Sequence, residues 1–108
     1  MRISPKLLLG SSIDDPDTEG LKNDMQNGRL PFSSYVLVYS AVHTLEIYSF
    51  RMLHYNPDVL KNEDCAVGLA SSKEEAYSLV LEVMDQIYAL GKYKDLPHFM
   101  EEQLGVKT

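Results

Sequence analysis

Cysteine and histidine, the side chains best suited to nucleophilic or metal-ligating chemistry at neutral pH, are few in this chain, and their surroundings work against it. The only cysteine, Cys65, follows Glu63 and Asp64, and neighbouring carboxylates disfavour the thiolate that a nucleophile requires. It opens the apolar run Cys65–Ala70 and so reads as a small buried hydrophobe. The histidines His43, His54 and His98 share no metal-binding spacing such as H-E-x-x-H. His98 with Glu101 or Glu102 on one helix reads as a surface pair. Serines are plentiful, yet no G-x-S-x-G motif is present, and the glycines are too scattered to cradle a phosphate. The expectation is a non-enzymatic protein with no cofactor and no bound metal.

One stretch is similar to a known ligand motif. Asp15-Pro16-Asp17-Thr18-Glu19-Gly20 resembles the start of an EF-hand calcium loop, with acids at its first, third and fifth positions and glycine at its sixth. Asn23 would stand at the ninth position. The resemblance then ends: Gln26 cannot supply the bidentate carboxylate of the twelfth position, and Lys22 replaces the usual apolar residue at the eighth. The segment reads as an acidic solvated loop capping a short helix.

Charge narrows the partners. Ten basic against sixteen acidic residues give a net charge of −6, and the basic residues are spread out rather than gathered into the stripe that nucleic-acid binding uses. Acids cluster at Asp14, Asp15, Asp17 and Glu19, at Glu63-Asp64 and at Glu101-Glu102. No apolar run approaches the roughly 18 residues of a membrane span. Leu7–Leu9 is too short for a signal peptide, and a lone cysteine fits a reducing compartment. A cytoplasmic protein that binds neither membranes nor nucleic acid directly is expected.

Positioning these residues falls to one domain, 1–108, with a polar, irregular or partly helical segment over 1–30 and the core over 31–108. In the first segment, Ile3 and Leu7–Leu9 either add an edge strand or tuck under the core. Thr18–Gln26 forms a short helix that Asp17 caps. Tyr35–Tyr55 admits two readings. As strands, Tyr35–Tyr39 and the stretch from Leu45 are rich in β-branched and aromatic residues, but no Gly, Asn, Asp or Pro stands near His43-Thr44 to turn them. As a helix, Ala41, Leu45, Tyr48, Met52 and Tyr55 share one face. The strand reading is preferred because Ala66–Ala70 reads as a strand that needs a neighbour. Ser72-Lys73-Glu74-Glu75 then fits a capping box that opens a long helix, and Leu96–Leu104 forms a last helix ended by Gly105. The sum is α+β: an antiparallel sheet of about three strands packed against one long amphipathic helix, with short flanking helices.

That long helix, 72–90, carries the functional signal. Its apolar residues cover an arc of roughly 200°, about twice what a helix lying on one small sheet buries. Tyr77, Leu81, Met84 and Tyr88 form one edge of the arc. Tyrosine, seven times present against three phenylalanines and no tryptophan, suits core rims and interfaces equally. Two functions fit. One is a protein–protein interaction module that self-associates, or binds another protein, through Tyr77, Leu81, Met84 and Tyr88. The alternative is an acidic, phage-type inhibitor whose patch of Asp14, Asp15, Asp17, Glu19, Glu101 and Glu102 blocks a basic groove of a nucleic-acid-handling protein.

Overall fold

The computed structural model describes residues 2–11, 13, 18–27, 29–31, 33–61, 63–90 and 96–106. Strands β1 (Arg2–Leu9), β2 (Tyr35–Tyr39), β3 (Leu45–Ser49) and β4 (Cys65–Ala70) form one open sheet in the order β1-β4-β2-β3. The helices are α1 (Thr18–Gln26), α2 (Phe50–Tyr55), α3 (Lys73–Leu90) and α4 (Leu96–Leu104). The fold is α+β, with corrections to the expected sheet. It has four strands rather than about three. It is mixed rather than antiparallel, because β1 runs parallel to β4 while β4, β2 and β3 alternate in direction.

Helices also cover both faces of the sheet. Central strands β2 and β4 are buried on both sides, which is why YVLVY and CAVGLA are nearly unbroken apolar runs. On one face Met25 of α1 and Phe50 and Leu53 of α2 pack on Val36, Val38, Ala66 and Leu69. On the other, Ala76, Leu79 and Val83 of α3 and Phe99, Met100 and Leu104 of α4 pack on Leu37, Tyr39, Val67 and Ala70. The alternation is broken once. Leu37 pairs with Gly68 but Val38 pairs with Ala66, so Val67 is the extra residue of a bulge. A Cβ on Gly68 would press on Leu37 Cβ at 3.1 Å and on the Leu8 carbonyl at 3.2 Å, so glycine lets three strands close up there.

The β2–β3 turn forms without glycine. His43 takes the left-handed conformation, φ 65°, at the third position of a three-residue hairpin loop, where the residue that follows a type I turn takes a positive φ. Histidine is among the residues that tolerate this region. Here it is also held: Tyr39 Oη lies 2.7 Å from His43 Nδ1, and the Ser40 and Thr44 hydroxyls bond across the loop base at 2.8 Å. Alternation in the sequence would carry the second strand of the segment on past Ser49. Instead Ser49 Oγ accepts the Met52 N–H at 2.9 Å and caps α2 from Phe50 onward.

α3 starts as its cap residues dictate. Ser72 Oγ accepts the Glu75 N–H at 3.2 Å. Glu75 does not reach back to the Ser72 amide; it accepts from the Ser71 N–H (3.3 Å) and hydroxyl (3.1 Å). Gly10, at the end of β1, makes room for that carboxylate, since any Cβ there would overlap it.

Candidate interaction surface

Sheet geometry decides which part of α3 is covered. α3 lies over β4, β2 and β3, while α4 lies against β1. Ala76, Leu79 and Val83 point into the core, and Val80 and Ile87 pack half-buried beside them, as do Leu45 and Ile47 of β3. Four further apolar positions are left out: Tyr77 is 53% exposed, Leu81 63%, Met84 42% and Tyr88 91%. Their spacing of four, three and four residues keeps them in one stripe along the helix, the spacing of a coiled-coil seam. Lys73 Nζ sits 5.9 Å from the Tyr77 ring centroid at one end of the stripe. Glu75, on the other side of α3 from the stripe, lies against Gly10 at the end of β1, so the stripe turns toward the β3-side flank, continuous with half-buried Val80 and Ile87.

The acidic residues do not assemble as clearly. Glu19 on α1 and Glu101 and Glu102 on α4 are exposed, on helices that cover opposite faces of the sheet. Asp14, Asp15 and Asp17 lie outside the described residues. The calcium-loop resemblance is overturned from Thr18 onward, because its remaining positions through Gln26 are one α-helix. Among the described residues no group of three or more His, Cys, Asp or Glu is placed to hold a metal ion. No helix among them is long and apolar enough to cross a membrane.

Cys65 is buried, and desolvation pushes its thiol above the ordinary range, with Arg2 nearby opposing the shift. His43 sits in the β2–β3 turn, whereas His54 follows β3 at the far end of the hairpin, in α2. Asp64, which the sequence places in an acidic cluster with Glu63, is buried. Its Oδ1 accepts the Ala41 N–H and its Oδ2 the Lys61 N–H, each at 2.9 Å. This carboxylate ties the β2–β3 turn to the loop entering β4. It borders a hollow of about 190 Å³ shared with Val42, Glu46 and Val59, and both its oxygens are already engaged there. Sequence reasoning missed this role, because both partners are main-chain amides.

No family model matches the chain, and neither does any characterised protein or solved structure compared with it. The functional reading therefore rests on the surface itself.

Proposed function

We propose that this protein is a small non-enzymatic interaction module that self-associates through the stripe Tyr77, Leu81, Met84 and Tyr88. The observation that carries the reading is the exposure of four large apolar side chains in one line on the longest helix, the kind of patch that marks a contact site on a soluble protein. The order of the stripe supports a second copy as the occupant. A two-fold axis relates each residue to its counterpart on an antiparallel helix. Around the midpoint of α3 it sets Tyr77 against Tyr88 of the other copy and Leu81 against Met84. Aromatic rings then meet at both ends and aliphatic chains at the centre, so the stripe complements itself.

Replacing Leu81→Asp and Tyr88→Asp together tests the proposal. These side chains are exposed in the single chain, so the variant should fold with an unchanged circular dichroism spectrum. Two carboxylates desolvated against apolar rings should raise the dissociation constant at least tenfold, a cost of about 1.4 kcal/mol or more. A folded variant that associates as the original does would exclude the stripe as the contact.

A further inference from the structure

The two edges of the sheet are built differently. β1 is closed to a further strand: its register breaks between Ile3 and Leu8, and it contains Pro5 and Lys6. The Ser4 hydroxyl there accepts from the Lys6 N–H at 3.2 Å and shares its proton between the carbonyls of Lys6 and Leu104, at 2.7 and 2.9 Å. The Lys22 ammonium of α1 donates to the Pro5 carbonyl at 2.7 Å. Bulges, proline, lysine and covering groups are the devices by which proteins stop an edge strand from pairing. β3 is less protected: it has no bulge, proline or lysine, and its one charged side chain is Glu46. Its five residues LEIYS pair with β2 in unbroken register, and no described strand lies along its outer side.

The hydrogen-bond ladder fixes what that edge offers. Phe50 N–H donates to the Ser34 carbonyl at 2.9 Å, and Ser40 N–H donates to the Thr44 carbonyl at 2.8 Å. Bonded pairs alternate along an antiparallel ladder, so Glu46 and Tyr48 direct their amides toward β2. Leu45, Ile47 and Ser49 therefore direct theirs outward.

We infer that two copies of the chain join along β3, antiparallel about a two-fold axis at Ile47, so that two four-stranded sheets become one. Ile47 then pairs with itself, Leu45 with Ser49 and Glu46 with Tyr48, a register that places no carboxylate directly opposite another. This inference rests on the self-association proposed above and supplies its missing half. The stripe leaves on the order of 500 Å² of apolar side chain per copy, short of the roughly 800 Å² each partner brings to a stable interface. The strand edge lies on the same flank of the molecule and adds the rest. The geometry is consistent along the strands too. Ile47, Leu37 and Gly68 form one row across the sheet, and α3, which returns from β4 for about 27 Å and packs on β4, β2 and β3, runs back across that row. One axis thus serves both contacts.

Amide hydrogen exchange, measured residue by residue on the full chain and on the Leu81→Asp, Tyr88→Asp variant, tests the pairing. The expected result is a wild-type dimer whose Ile47 amide exchanges at least tenfold more slowly than in the variant. Glu46 and Tyr48, bonded within the sheet, should be slow in both. A dimer whose Ile47 amide exchanges as fast as in the variant overturns the strand pairing and leaves the α3 contact standing. A wild-type chain that stays monomeric contradicts both. Should the double variant not fold, Ile47→Pro replaces it, because this change removes an outward amide and spares the ladder to β2. It should keep the slow Glu46 and Tyr48 amides and raise the dissociation constant at least tenfold; unchanged association would overturn the pairing.

Discussion

Asp64 holds two segments of chain together with one carboxylate, and each oxygen accepts one main-chain N–H. Removing it strands both donors in a partly buried site. Asp64→Ala should therefore cost about 2–4 kcal/mol, read as a lower urea midpoint at unchanged slope, while Asp64→Asn, which keeps one acceptor, should cost less. A second residue sets an alkaline limit. Burial, and then the charge of Glu46, raise the Tyr48 hydroxyl above its usual 10.0, and its O–H donates to the Glu46 carboxylate at 3.2 Å. The folded state thus favours the neutral phenol. Its contribution is complete below the unfolded value of 10.0 and is lost as pH rises through the raised folded value. Tyr48→Phe should flatten the fall in stability above that pH, and an unchanged alkaline profile would contradict the assignment. At this scale the sequence was partly misleading. Cys65 was legible as a buried hydrophobe from its apolar run, but Asp64 looked like one more surface acid because main-chain partners leave no mark on side-chain spacing.

Elements were legible where local chemistry decides them. Thr18–Gln26 and Leu96–Leu104 have the expected bounds, and the long helix begins after Ser72 as its cap requires. Ser72→Ala should cost about 1 kcal/mol in thermal or urea unfolding; no loss would mean that Glu75 and Ser71 alone order the first turn. What sequence did not reveal depends on distant contacts. The hairpin turns at His43 because Tyr39, Ser40 and Thr44 hold a residue that carries no turn signature by itself. β3 stops at Ser49 because that side chain caps a helix, although alternation continues through Met52. β1 is a strand despite Pro5, because an edge tolerates proline and β4 offers a parallel neighbour. The stripe on α3 was readable from periodicity alone. Its continuation along β3 was not, since strand order and the direction of each amide are properties of the assembled sheet.

At the scale of the whole molecule, an acidic chain joins to itself only if the contact is apolar enough to outweigh like-charge repulsion. The stripe contains no charged residue, and Glu46 meets tyrosine rather than another acid in the inferred register. Association should therefore depend little on salt, in contrast to an acidic inhibitor held in a basic groove, whose binding weakens steeply as salt rises. The most direct test is the absolute mass of the wild-type chain, by light scattering behind a sizing column at low and high salt. The account predicts twice the 12.2 kDa chain mass at both salt concentrations. A monomer at both, at every protein concentration, would contradict self-association through α3.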